Sequence, residues 1–426
     1  MKQLMTGNEA VARGAWECGV HFASAYPGTP STEILENIAT YKEIISEWAP
    51  NEKVALEAAI GASFAGGRAL AAMKHVGLNV AADPLFTLGY TGVNGGLVVV
   101  SCDDPGLHSS QDEQDNRHYA RAAKIGMLEP SDSQEAKDMV RIAMELSEEY
   151  DTPILLRMTT RICHSKSIVE LGERRERAII PYVKKEKFDP IPAISRVLHV
   201  KVEERLKKLE EFSNKTELNR IEWGKNRKTG IVTSGVAYQY AREVFGDEAC
   251  YLKLGFTYPL PMEKIRDFAS QVEQVIVIEE LDPFMEDAIK AAGIQCIGKE
   301  KIPNIGELNP DIVRKALLGV ESETITYDSS VVAKRPPVLC AGCPHRGFFH
   351  ELVKFKDIII TSDIGCYGLC PKDIAICMGG GFSVAHGAQK IFSLAGTGKR
   401  CVGVMGDSTF FHSGITSMLE AVYNNS

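Results

Sequence analysis

Gly96-Leu97-Val98-Val99-Val100-Ser101 and, further on, Pro153-Ile154-Leu155-Leu156-Arg157-Met158 decide the fold. Both are short, unbroken apolar runs closed by turn formers, the pattern of strands buried on both faces of a parallel sheet. Between them Ser133 to Tyr150 carries a helical pattern opened by Asp132 or Ser133. Toward the N-terminus, His21-Phe22-Ala23-Ser24-Ala25-Tyr26 reads as another strand, running into Pro27-Gly28-Thr29-Pro30-Ser31-Thr32-Glu33. That stretch predicts a turn and a capped helix start, with Ser31 or Thr32 bonding free amides and Glu33 in the first turn. Asn8 to Cys18 predicts a helix with Asn8 as its cap, and the Ala/Gly-rich run Leu56 to Met73 predicts a closely packed one. The alternation is that of a doubly wound α/β domain over residues 1–168.

Composition shifts beyond it. Leu171 to Lys228 holds sixteen Lys or Arg against ten Asp or Glu, with three prolines, and predicts a charged connector over 169–228 with one exposed helix, Val202 to Phe212. A second α/β unit is expected over 229–320, on the strands Gly230-Ile231-Val232-Thr233 and Gln274-Val275-Ile276-Val277-Ile278. A third, over 336–426, repeats the rhythm of strand, glycine turn and helix: Asp357 to Ile360, Phe382 to Ser393, then Arg400 to Met405. The fold class is therefore α/β, several doubly wound parallel-sheet domains in one chain.

Charge and composition exclude other classes. Of 426 residues, 44% are hydrophobic and 24% charged, an ordinary globular mix, and the net charge of −8 offers no basic footprint for nucleic acid. No apolar run reaches the roughly 18 residues of a membrane helix, and the start lacks a secretory signal, so a cytoplasmic protein is expected. Six of the eleven cysteines fall between Cys340 and Cys401. An odd count without a signal points to reduced thiols, some as metal ligands, rather than a disulfide scaffold.

Two motifs carry chemistry. Gly406-Asp407-Ser408 follows a buried strand and precedes a helix, which puts a carboxylate at the carboxyl end of a parallel sheet. There Asp407 can hold a divalent cation that bridges a diphosphate, beside the amides of a helix terminus. Upstream, Ile376-Cys377-Met378-Gly379-Gly380-Gly381-Phe382 to Gly387-Ala388 resembles a segment of thiamine-diphosphate enzymes, in which the bulky residue at Met378 wedges the cofactor into its folded form. A plain core methionine is the other reading. Such enzymes also need a glutamate that protonates the aminopyrimidine ring. Glu52, with Gly61 nine residues on, fits that pattern; Glu57 is the rival but falls inside the helix rather than at its mouth.

Longer segments resemble one family. Tyr26 to Glu33, Gly61 to Ala69 and Met73-Lys74-His75-Val76-Gly77-Leu78-Asn79 are similar to 2-oxoacid:ferredoxin oxidoreductases. Ser109-Ser110-Gln111-Asp112-Glu113-Gln114-Asp115-Asn116-Arg117, Leu339-Cys340-Ala341-Gly342-Cys343-Pro344-His345-Arg346 and Asp363-Ile364-Gly365-Cys366-Tyr367 narrow the likeness to the large (alpha) subunit of the indolepyruvate-specific branch.

The resemblance implies thiamine-binding folds: a pyrimidine-binding domain at 1–168, a transketolase C-terminal-like domain at 229–320 and a diphosphate-binding domain at 336–426. It implies oxidative decarboxylation of an arylpyruvate such as indolepyruvate to an acyl-coenzyme A and carbon dioxide, with electrons passing through [4Fe–4S] clusters to ferredoxin. Glu52, Thr29 and Arg117 would be catalytic, Thr29 and Arg117 holding the substrate carboxylate; Arg121, four residues on, could exchange with Arg117, and a structural salt bridge is the other reading of Arg117. Gly365, Cys366, Met378, Gly379, Gly406, Asp407 and Ser408 would bind thiamine diphosphate, with magnesium on Asp407. Cys340, Cys343 and Cys366 would be cluster ligands, with zinc or plain thiols as alternatives, and Gly368-Leu369-Cys370-Pro371 departs from the family pattern. A smaller beta subunit and a second copy of this chain are the expected partners. A non-oxidative thiamine-dependent decarboxylase and a non-catalytic binding subunit are the alternative functions. No Asn follows Asp407 at the family's distance, and no C-x-x-C-x-x-C run is present, so the chain reads as truncated on the C-terminal side of its last domain. On that reading it binds thiamine diphosphate and magnesium weakly or not at all by itself and transfers no electrons.

Overall fold

Leu97–Asp103 and Ile154–Thr159 pair as parallel neighbours at the middle of a seven-stranded sheet. In this computed structural model, which describes residues 1–323, 325 and 327–426, the strand order is Phe256–Tyr258, Gly126–Leu128, Ile154–Thr159, Leu97–Asp103, Ala69–Lys74, Phe22–Ala25, Ile45–Trp48. Every pairing is parallel except that of Phe256–Tyr258 with Gly126–Leu128. From Phe22–Ala25 the chain steps outward to Ile45–Trp48 and returns on the other side as Ala69–Lys74. The strand order thus reverses between Phe22–Ala25 and Ala69–Lys74, and in open α/β sheets ligands bind at the carboxyl ends flanking such a reversal.

Local chemistry moves several boundaries. The first helix is Gly7–Glu17, and its cap is Thr6 rather than Asn8: Thr6 Oγ1 accepts from Glu9 N–H at 3.1 Å while Thr6 N–H donates to the Glu9 carboxylate at 2.7 Å. Asn8 is buried and donates instead to Pro30 O and Glu33. Ser31 stands at the start of the helix Thr32–Ile38 without capping it; its hydroxyl donates to Gly28 O. The run Leu56 to Met73 is no single helix. Glu52–Phe64 is helical, the chain reverses at Gly66, and Ala69–Lys74 is a strand. Gly66 has φ +97°, and a Cβ there would lie 1.8 Å from Ile180 O, so only glycine makes the turn.

The largest difference concerns 169–228. Lys166–Glu170 pairs antiparallel with Lys2–Thr6, and Pro192–Lys215 is one 24-residue helix burying Leu198, Val202 and Leu209. Arg220–Glu222 then joins a four-stranded sheet, in the order Gln274–Ile278, Thr229–Ser234, Cys250–Leu254, Arg220–Glu222. Because Phe256–Tyr258 crosses back to the edge of the large sheet, 1–168, 169–228 and 229–320 share one compact unit, Met1–Glu323. The charge of the connector masked the buried stripe of its helix, since Lys201, Glu203 and Glu204 surround Val202 and Lys207, Lys208, Glu210 and Glu211 surround Leu209.

The second unit, Thr324–Ser426, holds a three-stranded parallel sheet in the order Ile374–Ala375, Ile358–Ser362, Arg400–Gly403. Its strand order reverses at Ile358–Ser362. The helix Gly380–Leu394 packs so closely on this sheet that a Cβ at Gly381 would meet Val404 O at 2.6 Å. Phe349, Ile360, Tyr367, Cys370 and Val404 form the core. No helix among the described residues is long and apolar enough to cross a membrane.

Candidate active site

Phe22–Ala25 and Ala69–Lys74 end side by side at the strand reversal. Phe22–Ala25 runs into Gly28 and the exposed Thr29; Ala69–Lys74 runs into Lys74, His75 and the short helix His75–Val80. Lys74 lays its stem on Gly28, where an added Cβ would sit 3.0 Å from Lys74 Cδ. Glu52 enters from the neighbouring strand end. It is the first residue of its helix, set there by Asn51, whose Oδ1 accepts from Val54 N–H at 2.9 Å. Glu52 is 4% exposed, and its carboxylate lies on the backbone of Gly77: a Cβ at Gly77 would fall 2.6 Å from Glu52 Oε1. Glu57, by contrast, is exposed and ion-paired with Lys53 on the outer helix surface. Of the two, Glu52 is the buried one and the one at the helix mouth.

Arg117 is 1% exposed and clasped by protein acceptors: Nε to Asp115 at 2.9 Å, Nη1 to Glu279 at 2.6 Å, and Nη2 to Asp115, Glu280 O and Asp282 O. Burial works against its charge, but Asp115 and Glu279 outweigh burial and hold the guanidinium well above its usual range. Arg117 is thus held by protein acceptors, the arrangement of the structural ion pair that is the other reading of this residue. Beside it Arg157 bonds Asp103 at 2.9 Å and Glu129 at 2.6 Å. Glu280, in the same buried layer, is pushed by burial up to about 7, although the amide of Leu308 pulls it down. This charged layer fastens the loop after Gln274–Ile278 to the large sheet.

A separate cleft of about 620 Å³ is lined by Phe86, Gln114, His118, Tyr119, Leu281 and Asp282. In it Asp115, His118 and Asp282 bring one ligand atom each within 4.8 Å of one another, the only such trio among the described residues. Asp115 is already chelated by Arg117, which opposes a cation there.

A second group of candidate residues belongs to the other unit. Gly406 follows Arg400–Gly403, and Asp407 and Ser408 are exposed at the start of the next turn. Across from them Ile358–Ser362 ends at Asp363 and Gly365. Tyr367 lies over both glycines, since a Cβ at Gly365 or at Gly406 would meet its ring at 2.6 Å. Gly379 has φ +79°, and a Cβ there would lie 2.2 Å from Ser413 Oγ, whose hydroxyl donates to Met378 O at 3.0 Å. Met378 is half-buried. Asp363 received no role from the sequence, yet it ties the site together: it is buried, accepts from Gly379 N–H at 3.1 Å and is bonded by the Tyr367 hydroxyl. Burial pushes its carboxyl up to about 6, against the pull of the Gly379 amide.

Cys340 and Cys366 are exposed, Cys343 is half-buried with its Sγ 3.4 Å from His345 Nδ1, and Cys370 is buried. A tetrahedral zinc site would bring its sulfurs within about 3.8 Å of one another, as Zn–S bonds of about 2.3 Å require. No three of the described cysteines meet even 4.8 Å.

Two family models match the chain, one within each unit. Residues 13–215 match the thiamine-diphosphate-binding domain of pyruvate flavodoxin/ferredoxin oxidoreductases, and residues 363–426 match the C-terminal TPP-binding domain of thiamine pyrophosphate enzymes. The class is that of thiamine-dependent 2-oxoacid oxidoreductases. Over 455 residues the chain is 43% identical to indolepyruvate oxidoreductase subunit IorA of Methanothermobacter marburgensis, covering 99% of this chain and 73% of that one. Identity is 40% to the IorA subunit of Archaeoglobus fulgidus, over 100% of this chain and 73% of the relative. The chain belongs to the IorA family of indolepyruvate oxidoreductase subunits. In fold it is similar to 2-oxoglutarate:ferredoxin oxidoreductase from Magnetococcus marinus, with a TM-score of 0.62 at 18% identity, over 75% of this chain and 65% of that chain's length.

Proposed function

We propose that this chain is the thiamine-binding large subunit of an arylpyruvate oxidoreductase. It converts an arylpyruvate such as indolepyruvate, with coenzyme A and oxidised ferredoxin, into an aryl-acyl-coenzyme A, carbon dioxide and reduced ferredoxin. The observation that carries this is Glu52: a carboxylate buried at a helix mouth beside the strand reversal, in a chain of the IorA family.

The donor sets fit the cofactor. Glu52 offers a buried carboxyl that holds or returns a proton at the ring nitrogen of the aminopyrimidine. Asp407, exposed at its helix start, offers one of the oxygen ligands that magnesium demands, and the first turn of Gly380–Leu394 offers backbone amides to phosphate oxygens. Gly365 and Cys366 line the same loop, and Met378 supplies bulk against the cofactor rings. When bound, thiamine diphosphate supplies the nucleophilic carbon and the electron sink for decarboxylation. The exposed hydroxyl of Thr29 bonds the substrate carboxylate. Cys340, Cys343 and Cys366 are three thiols where a [4Fe–4S] cluster needs four ligands, and no electron step is assigned to them. The working assembly contains a smaller beta subunit and two copies of this chain, and it operates in the cytoplasm.

Glu52→Gln in the assembled enzyme tests the proposal. Ferredoxin reduction should fall by at least about 100-fold, the usual worth of a general acid–base group. Thiamine diphosphate binding, followed by calorimetry, should stay within a few-fold. Unchanged turnover would remove Glu52 from the mechanism, and aldehyde release without an electron acceptor would point to a non-oxidative decarboxylase.

A further inference from the structure

With Arg117 committed to Asp115 and Glu279, the first strand reversal lacks the cation expected to meet an anionic substrate. One other cation stands at that strand reversal. Lys74 is the last residue of Ala69–Lys74, and its aliphatic stem lies on Gly28, one residue before Thr29. Its ammonium donates one hydrogen bond, to Ser109 O at 2.8 Å. Among the described residues no carboxylate lies within 4.0 Å of Lys74 Nζ, although Glu52, Asp104 and Asp112 all act on it electrostatically. The arginines nearby are spent: Arg157 is paired with Asp103 and Glu129, and Arg161 with Glu307.

An ammonium with spare donors is therefore held half-buried between the Thr29 loop and the Glu52 helix. Burial lowers its proton affinity, while Asp104, Asp112 and Glu52 act to raise it. Gly28 and Gly77 explain how both charged groups fit: each is a glycine because a side chain lies where its Cβ would be, Lys74 on one and Glu52 on the other.

We infer that Lys74, rather than Arg117, is the residue that pairs with the carboxylate of the 2-oxoacid, acting with Thr29. The inference rests on the proposed arylpyruvate reaction and adds the residue that anchors its substrate. Lysine serves here as a compact charge reaching one oxygen, with Thr29 free for the other, instead of the bidentate fork an arginine would present. No covalent step is involved, and the ammonium keeps its proton.

The test uses the assembled enzyme and two non-reactive probes, indole-3-propionate and its neutral amide. Calorimetry should show the acid binding wild type about 10- to 100-fold more tightly than the amide, the range for a charge-assisted hydrogen bond. Lys74→Met should bring the ratio near one by weakening the acid alone, and Lys74→Arg should restore part of it. In turnover, Lys74→Met should raise KM for arylpyruvate by a similar factor, leaving KM for coenzyme A unchanged. A persisting acid preference in Lys74→Met, or an unchanged arylpyruvate KM, overturns the assignment while the reaction itself stands. A wild-type enzyme that turns over no arylpyruvate removes the reaction instead. If Lys74→Met fails to assemble, Lys74→Gln and Lys74→Arg carry the same comparison, and equal ratios in those two overturn it.

Discussion

Replacing Arg117 with methionine separates the two roles available to that side chain. Methionine roughly fills the space of the stem but leaves Glu279, 2% exposed, with no ion-pair partner and Asp115, 1% exposed, with only Arg157 Nη2 at 3.9 Å. Breaking a buried ion pair by deleting one partner costs about 3–5 kcal/mol, because the remaining charge stays desolvated. The carbonyls of Glu280 and Asp282 lose their donor in the same step. The unit Met1–Glu323 has 323 residues, and unfolding entropy of about 2.1 cal/mol/K per residue gives about 0.7 kcal/mol/K. Dividing the one by the other, Tm should fall by about 4–7 °C. Differential scanning calorimetry on the chain reads this directly, and hydrogen exchange should show faster opening of the loop 279–283. A variant with wild-type Tm, wild-type exchange and a selectively raised KM for the oxoacid would refute the structural account and return Arg117 to the substrate.

Three other outcomes follow from the same geometry. Glu280 is raised by burial from an ordinary 4.5 to about 7. The folded state therefore binds the extra proton between these values, and stability falls as pH rises through that window, by up to roughly 3 kcal/mol. Glu280→Gln should flatten the decline between pH 5 and pH 7.5 in urea titrations; an unaltered slope would assign it to another group. Gly379→Ala, at φ +79° and against Ser413 Oγ, should cost roughly 2 kcal/mol and speed amide exchange across 378–383; unchanged exchange would show that the turn tolerates a Cβ. Asp407→Asn should weaken magnesium-dependent thiamine diphosphate binding by the assembled enzyme about tenfold or more, and equal binding would put the metal elsewhere.

The strands were legible where burial on both faces left no polar alternation, as in Leu97–Asp103 and Ile154–Thr159. The boundary inside Leu56 to Met73 was not, because alanine and glycine suit both a packed helix and a crowded central strand. The helix Pro192–Lys215 was hidden by its own charged residues, which surround Val202 and Leu209. Spacing put Glu52 and Asp407 near helix starts, and that is where the structure has them. The pairing of Arg117 could not be read: its partners Glu279 and Glu280 lie more than 160 residues away, and a sequence cannot show that an arginine is already paired. Lys74 and Asp363 were within quoted segments, but only the sheet topology places them at strand reversals.

The central claim is an oxidation of arylpyruvate that stores its electrons on ferredoxin. Ferredoxin reduction should be followed anaerobically as indolepyruvate is added to the assembled enzyme with thiamine diphosphate, magnesium and coenzyme A. The account predicts coenzyme A-dependent reduction, with two electrons and one acyl-coenzyme A for each carbon dioxide, and loss of the signal in Glu52→Gln. Carbon dioxide and aldehyde released without ferredoxin reduction, or no consumption of indolepyruvate at all, would contradict it.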